Sequence, residues 1–154
     1  MCSSDLQLSQ VMPILENFGL SVAEERPYKV KPKSGGFVWL SDFALLTSKP
    51  VEIAEVTDKL KEAFAVTWAG VAENDRFNSL IVYAGLDWRE VAIVRAYTRY
   101  MTQIGVRFSQ QYIEDTYIEY AEIVRLMVSL FDARFNPIYE AEEREAITKG
   151  VRKV

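Results

Sequence analysis

The spacing of apolar residues is helical at the start of the chain, alternating over the next segment, and helical again over most of the remainder. Residues 6–18 carry apolar side chains three and four positions apart and predict a short helix. Ser9 is placed to cap its amino end, and Gly19 is placed just past its last turn. The predicted buried face of this helix consists of Val11, Ile14, Leu15 and Phe18.

Two predicted strands follow this helix. Residues 20–30 and 37–46 are rich in β-branched and aromatic positions, and residues 31–36 between them have the composition of a turn. Gly35 and Gly36 lack the spacing of a phosphate-binding loop and join two strands, so a hairpin turn is the favoured interpretation. Both faces of this antiparallel hairpin are apolar, so we expect another element to cover each of them.

A second helix follows residues 47–50 and completes the order helix, strand, strand, helix. Its predicted buried stripe consists of Val56, Leu60, Ala63, Phe64 and Thr67. This order is the inner part of a ferredoxin-like βαββαβ unit, with both outer strands unassigned. Because a two-stranded hairpin is marginal in water, we expect either that a partner supplies a further strand or that helices cover the sheet.

Residues 76–105 contain the most sharply bounded helices of the chain. Gly85 ends a short helix, and Asp87 then begins a longer one as its N-cap, with Glu90 placed to complete a capping box. Gly105 is placed to end this longer helix. Its predicted core face consists of Ile93, Val94, Tyr97, Tyr100, Met101 and Ile104.

The pattern stays helical beyond residue 105. Ser109 is placed to cap a brief helix, and residues 119–135 carry an apolar stripe broad enough to predict burial on much of the helix circumference. Asn136 and Pro137 stop that helix. The charged residues 138–154 form either a last solvated helix or a frayed end, and the pattern does not choose between them.

The pattern as a whole predicts an α+β, mostly helical fold, with an incomplete αβ unit over residues 1–72 and a helical bundle over residues 73–154. A chain of 154 residues with 49% hydrophobic content can bury a substantial core. The net charge of −4 argues against nucleic acid or an anionic membrane as a partner, and no apolar run is long enough to cross a membrane. With Cys2 as the single cysteine, a reducing, cytoplasmic setting fits best.

Candidate chemistry is limited by the absence of histidine. Without it there is no Ser-His-Asp or Cys-His pair and no histidine-based metal site. We interpret two acidic clusters as solvated surface rather than as metal ligands or catalytic pairs: Glu114, Asp115 and Glu119, and Glu140, Glu142, Glu143 and Glu145. The residues therefore predict no catalytic, cofactor-binding or metal-binding position.

Arg95 and Arg99 form the one candidate binding surface. They lie one helical turn apart, opposite the predicted core face, where they can hold an acidic partner segment or an anionic effector. The alternative is that they pair with surface carboxylates. Aromatic residues of this part of the chain are interpreted as core and interhelix contacts, because no aromatic and basic interleaving of a nucleic-acid site occurs.

Several collinear segments resemble the large-type bacterial NAD-specific glutamate dehydrogenases. In chain order they are LSQVMPILENFGLSVAEERPYKV (8–30), VWLSDFAL (38–45), EAFAVTWAGVAENDRFNSLIVYAGLDWREVAIVRAY (62–97), IGVRFSQQYIED (104–115) and LFDARFNP (130–137). They cover most of the chain up to residue 137. They resemble one region of a very long polypeptide, in which the end of an ACT-like regulatory part is followed by a helical segment, before the catalytic domain.

The resemblance implies that residues 1–72 are a partial ACT-like unit whose first strand lies upstream of Met1. It places the NAD and glutamate sites of the family further along the chain, so no catalytic residue is carried onto any position here. It implies NAD as the cofactor of the parent enzyme and none in this segment. The implied partners are the remaining domains of the parent chain, a homo-oligomer and an amino-acid effector.

Two functional hypotheses follow. In the first, the chain is a non-catalytic regulatory and linker segment of an NAD-dependent glutamate dehydrogenase, whose parent converts L-glutamate and NAD to 2-oxoglutarate, ammonia and NADH. In the second, it is a stand-alone effector-binding or protein-interaction module, which the incomplete sheet and the pair Arg95 and Arg99 favour. A small independent enzyme is disfavoured by the missing histidine and loop motifs.

Overall fold

A computed structural model describes residues 8–151 as a run of helices interrupted by one two-stranded sheet. In chain order the elements are α1 (Leu8–Asn17), β1 (Leu20–Val30), β2 (Val38–Thr47), α2 (Ile53–Trp68), a 3₁₀ turn (Arg76–Asn78), α3 (Ser79–Tyr83), α4 (Trp88–Gln103), α5 (Gln110–Glu119), α6 (Ala121–Phe135) and α7 (Ala141–Val151). The predicted α+β, mostly helical fold with an antiparallel hairpin is confirmed.

The hairpin of β1 and β2 packs on the rest of the molecule only at its base. Its strands are antiparallel, with Tyr28 opposite Leu40, and a bulge lies between Val22 and Glu24. Val22 and Phe43, near the base, pack against the core, while Trp39 near the turn is 56% exposed. The expectation that another element covers each face is wrong for residues 8–151, because strands this long extend past the helices at their base.

The core lies where α1, α2, α3 and the start of α4 meet. Its largest fully buried side chains are Val11, Phe18, Leu80, Ile81 and Val91. The predicted stripe of α2 is confirmed: Val56, Ala63 and Thr67 are buried, and Leu60 and Phe64 pack partly buried against the core. Each fully buried apolar side chain of this size stabilises the fold by roughly 1.5–3 kcal/mol.

Gly19 connects α1 to β1 at a point that tolerates no side chain. Its φ is +75°, and a Cβ there would lie 2.7 Å from the Tyr83 ring. The Tyr83 hydroxyl donates to the Gly19 carbonyl at 2.9 Å and accepts from the Ser48 amide at 3.2 Å, so one side chain anchors both ends of the hairpin. The predicted position of Gly19 is confirmed. Ser9 lies inside α1, so its predicted capping role is wrong.

The predicted ends of α4 are confirmed. The Asp87 carboxylate accepts from the amides of Arg89 and Glu90, both at 2.8 Å, and the Glu90 carboxylate accepts from the Asp87 amide at 2.7 Å. This is a complete capping box. Gly105, with φ +88°, follows the last turn. Ser109 caps α5 as predicted, its hydroxyl accepting from the Tyr112 amide.

The predicted core face of α4 is wrong in part. The buried residues of this helix are Val91, Val94, Arg95 and Thr98. Three members of the predicted face are exposed instead: Tyr97 at 42%, Tyr100 at 58% and Ile104 at 60%. Arg95 therefore lies on the buried side of the helix, where it pairs with the Asp75 carboxylate.

The carboxyl-terminal helices also depart from the predicted pattern. In α6 the buried residues are Ala121, Val124, Val128 and Ala133, whereas Ile123, Met127 and Phe135 are exposed, so burial covers less of the helix than predicted. The charged tail is helical as α7, and residues 152–154 lie outside the described part of the chain. Arg144 of α7 donates to the carbonyls of Arg134 and Asn136, which satisfies groups left open at the end of α6.

Candidate functional site

A cluster of polar residues lies between α2 and α3, where residues 73–78 contact three helices. We name it the polar junction and define it as Glu73, Asn74, Asp75, Arg76 and Asn78 together with Arg95 and Arg99 of α4. The segment follows the end of α2 at Gly70, whose φ is +71°, and leads into the 3₁₀ turn. Residues distant in sequence meet here because α4 runs back past the loop that precedes α3.

Arg95 is the centre of the polar junction. Its Nε lies 2.7 Å from Asp75 Oδ2 and its Nη2 lies 2.9 Å from Asp75 Oδ1, so the guanidinium binds the carboxylate through two nitrogens. The same Nη2 donates to Asn78 Oδ1 and, at 3.3 Å, to the Glu73 carbonyl. The Arg95 side chain is 5% exposed and that of Asp75 is 22% exposed. A buried charge is tolerated here because it is both paired and hydrogen-bonded.

The acceptors around Arg95 are themselves held in place. Asp75 is the N-cap of the 3₁₀ turn, and its Oδ1 accepts from the Phe77 amide at 3.1 Å. Asn78 Nδ2 donates to the Glu73 carbonyl at 3.0 Å. Within residues 8–151 no buried side-chain nitrogen or oxygen lacks a hydrogen-bond partner. The network is therefore complete within the chain, which favours one fixed arrangement of the loop.

Arg99 differs from Arg95 in its exposure. Its Nη2 pairs with the Glu73 carboxylate, but the two side chains are 65% and 53% exposed. A pair as exposed as this one contributes roughly 0–1 kcal/mol, because water solvates both charges and salt screens them. Arg99 therefore adds little to the stability of the polar junction and keeps part of its guanidinium accessible.

Further contacts connect the polar junction to α1 and α5. Asn17 Nδ2, at the end of α1, donates to Asn74 Oδ1 at 3.0 Å. Arg76 Nη2 pairs with Asp115 Oδ1 at 2.7 Å, and Arg76 Nη1 lies 3.9 Å from Glu114. The interpretation of Glu114 as solvated is wrong, because its side chain is buried and accepts from Gln110 Nε2 at 2.8 Å. These contacts make the polar junction a point where three helices are fixed relative to one another.

The sequence predicted the two arginines as an exposed pair, and the structure separates them. The expected exposure of Arg95 is wrong, whereas the alternative of pairing with carboxylates holds for both residues. Docking of an acidic partner stays a prediction, and Arg99 is the member that offers an exposed guanidinium. The missed partner of Arg95 was Asp75. Its position before Arg76-Phe77-Asn78 is typical of a helix cap and could have identified it as fixed.

Other kinds of site are limited by what the described residues bring together. Among residues 8–151, no three Cys, Asp or Glu side chains lie close enough to hold a metal ion. In the same part of the chain, no helix combines the length and the apolar character needed to span a bilayer. Glu145, from one of the acidic clusters, pairs with Lys149 at 2.7 Å on the exposed side of α7. The polar junction supplies ion pairs and hydrogen bonds that position residues 73–78 against α4 and α5.

Comparison with known sequence families gives two matches. Residues 2–57 match the family described as glutamate dehydrogenase, ACT3 domain. Residues 72–137 match the family described as glutamate dehydrogenase, helical motif 3. The first match includes α1 and the hairpin, and the second begins just before the polar junction and ends just after α6.

Curated relatives give the same result. The chain is 48% identical over 134 residues to an NAD-specific glutamate dehydrogenase from Halomonas elongata, with 86% of the chain aligned. It is 42% identical over 132 residues to one from Pseudomonas aeruginosa, with 84% aligned. It is 39% identical over 138 residues to one from Mycobacterium tuberculosis, with 85% aligned. The chain spans about 8% of the length of each relative. It therefore belongs to the NAD-specific glutamate dehydrogenase family, within which it corresponds to the ACT3 domain and helical motif 3.

Proposed function

We propose that the chain is a regulatory and architectural segment of an NAD-dependent glutamate dehydrogenase. It joins an ACT-like unit, residues 1–72, to a helical segment, residues 73–154, and contributes no catalytic residue. The observation that carries this proposal is the polar junction, a completed network within the part that matches helical motif 3, which contacts the part that matches the ACT3 domain through the hydrogen bond from Asn17 to Asn74.

The parent enzyme converts L-glutamate and NAD to 2-oxoglutarate, ammonia and NADH in the cytoplasm. Its NAD and substrate sites belong to domains other than this one, and those domains are the principal partners of the chain. Arg99 is the docking residue for an acidic segment of such a domain, because its exposed guanidinium can exchange the weak pair with Glu73 for a partner carboxylate.

The polar junction couples the two parts mechanically. Arg95 holds Asp75 and Asn78 from α4, Arg76 holds Asp115 of α5, and Asn17 of α1 binds Asn74. A displacement of α1 and the hairpin therefore moves residues 73–78, and through them α4 and α5. A joint of this kind lets an effector that binds the ACT-like unit change the position of the helical segment.

A chimera tests the coupling. In the enzyme from Halomonas elongata, the matching segment is replaced by this chain, with and without Arg95→Met or, as the matched control, Arg99→Met. We expect the unmodified chimera to oxidise glutamate and the Arg95→Met chimera to lose its effector response or assembly. The Arg99→Met chimera should keep the effector response, because the network of Arg95 stays intact, and should assemble more weakly, because Arg99 is the proposed docking residue. Equal behaviour of the Arg95→Met chimera and the unmodified chimera would contradict the proposal.

The isolated chain tests the absence of catalysis. When the chain is incubated with L-glutamate and NAD, NADH should form no faster than in buffer without the chain. Glutamate oxidation that co-purifies with the chain would overturn the proposal if a substitution in the chain abolishes it, because the activity would then belong to the chain and not to a contaminant.

The second candidate is a stand-alone effector-binding or protein-interaction module. The exposed apolar hairpin favours it, because unpaired strand edges accept a further strand from a partner.

An effector role for a free amino acid is tested by thermal unfolding of the chain with each standard amino acid in turn. A rise in melting temperature with one amino acid and not with the others supports the effector, because only ligands that bind the folded state stabilise it. No rise with any of them favours a purely structural role.

A further inference from the structure

An apolar groove runs between α4 and α6. Its floor is part of the core and includes Val94, Val124 and Val128, all buried. Its walls include Tyr97, Met127 and Phe131. The cavity has a volume of about 270 Å³, slightly below the roughly 300–1,000 Å³ that is usual for small-molecule sites.

The walls of the groove are preformed by aromatic contacts. The rings of Tyr97 and Phe131 lie edge to face, with centroids 5.9 Å apart and planes at 89°. Phe131 also packs on Phe135, with centroids 4.8 Å apart. Such contacts fix the side chains before a ligand arrives and reduce the entropy lost on binding. Tyr97 and Phe135 nevertheless remain largely exposed, so a ligand in the groove would remove apolar surface from water.

One charged residue, Arg134, lines the groove. The other arginines near this helix have partners: Arg125 pairs with Glu122, and Arg144 binds backbone carbonyls. Within residues 8–151, no carboxylate lies within ion-pair distance of Arg134. The groove therefore combines an apolar channel with a single guanidinium, which binds a planar carboxylate through two parallel hydrogen bonds.

We propose that this groove binds a small apolar monocarboxylate, with its carboxylate on Arg134 and its apolar body against Phe131 and Met127. A single positive charge matches one carboxylate rather than a dianionic phosphate. A volume of about 270 Å³ accommodates a medium-length alkyl chain or a single ring. The shared chemistry is an acid group on an apolar body, and the aliphatic and aromatic forms are separate arms of the test.

The test uses the whole chain labelled at its methionine methyl groups, with Met127 assigned by substitution. Octanoate and 3-phenylpropionate are titrated as the aliphatic and aromatic probes, and octan-1-ol serves as the uncharged control. We expect a saturable shift of the Met127 methyl signal with at least one acid. Octan-1-ol should bind more weakly, because it leaves the guanidinium without a charged partner.

Two arginine variants separate a specific site from general apolar binding. Arg134→Gln should weaken binding of the acid roughly 10-fold while leaving octan-1-ol unchanged, because only the charged contact is lost. Arg125→Gln is the matched control on the same helix, and it should change the affinity by less than about twofold because Arg125 does not line the groove. Circular dichroism spectra establish that both variants are folded.

Three results would overturn the proposal. The first is no saturable shift at Met127 with either acid. The second is an equal loss of affinity in Arg134→Gln and Arg125→Gln, which would indicate a nonspecific charge effect. The third is a Met127 signal that shifts with protein concentration and not with the acids, which would make the groove an interface between two copies. None of these results bears on the chimera experiment, because they concern only binding to the isolated chain.

Discussion

Arg95 is 4% exposed at the centre of the polar junction, whereas Trp39 is 56% exposed on the hairpin. A charged residue is buried and an aromatic one is in solvent, which is the reverse of what their chemistry alone favours. The difference lies in whether partners are present. Arg95 has its acceptors within the chain, while the two-stranded sheet has no further strand among residues 8–151. The region that is complete in this way holds the fold, whereas the two-stranded sheet leaves apolar side chains exposed.

The largest effect is expected from emptying the core next to the hairpin base. Phe18→Ala should lower the free energy of unfolding by about 4 kcal/mol, because Phe18 is fully buried and the substitution leaves a cavity. Leu46→Ala, near the end of β2, should change it by less than about 0.5 kcal/mol, because the Leu46 side chain is 60% exposed. Urea unfolding followed by far-ultraviolet circular dichroism measures both.

Similar losses of unfolding free energy in these two variants would contradict the difference between the core and the hairpin. They would mean that the hairpin contributes to the stability of this chain as much as the core does. A loss for Leu46→Ala alone would place the hairpin, rather than α1, at the centre of the fold.

The second effect concerns the polar junction. Arg95→Met should destabilise the fold by about 3 kcal/mol, because it leaves the Asp75 carboxylate without its cationic partner and the Asn78 side-chain oxygen without the Arg95 donor. The value is at the low end for a broken buried pair since Asp75 is 22% exposed and can regain some hydration. Arg99→Met should cost less than about 1 kcal/mol. The midpoints of urea unfolding measure the loss of stability in each of the two arginine variants.

The comparison of the two arginines also decides the docking prediction. Arg95→Glu should unfold the chain, because it places a carboxylate next to Asp75, whereas Arg99→Glu should leave it folded. If both charge reversals leave the chain folded, Arg95 is not fixed by the network. If both unfold it, Arg99 is structural too, and a docking role for it is excluded.

Local chemistry made most of the fold predictable. The two strands, the capping box of Asp87, the cap at Ser109 and the glycine after α4 were all predicted, because each depends on residues a few positions apart. The buried face of α4 was not. Apolar residues occur on more than one side of that helix. The carboxylate that pairs with the buried Arg95 belongs to Asp75, which lies twenty positions away in sequence. Periodicity within one helix contains no information about such a partner.

The groove between α4 and α6 escaped prediction for the same reason. Its residues were assigned to the core because apolar stripes are most often buried. The structure buries Val124 and Val128 but leaves Met127 and Phe135 on the surface, where they line the groove together with Tyr97 of α4. No single-helix pattern distinguishes a core stripe from the wall of an open groove.

The third prediction concerns the N-cap of α4, the helix that carries Arg95. Asp87→Ala should cost about 1 kcal/mol, because the amides of Arg89 and Glu90 lose their acceptor. Asp58→Ala is the control, an exposed carboxylate in the middle of α2 that should have almost no effect. Equal losses in the two variants would show that removal of any negative charge, rather than loss of the cap, destabilises the chain.

The smallest change in stability is expected on the hairpin, together with a change in association. Val38 and Leu40 are two positions apart on β2, so they share one face, and both are more than half exposed. Replacing both with Thr places a β-branched side chain at both positions and removes apolar surface, so the free energy of unfolding should change by less than about 0.5 kcal/mol. Sedimentation velocity should show less self-association than in the unmodified chain, because exposed apolar strands with open edges pair with other chains.

Lys33→Thr in the turn is the control and should leave association unchanged. A loss of stability above about 1 kcal/mol would show that this face packs within the chain, and the contrast between a completed junction and an incomplete sheet would then be wrong.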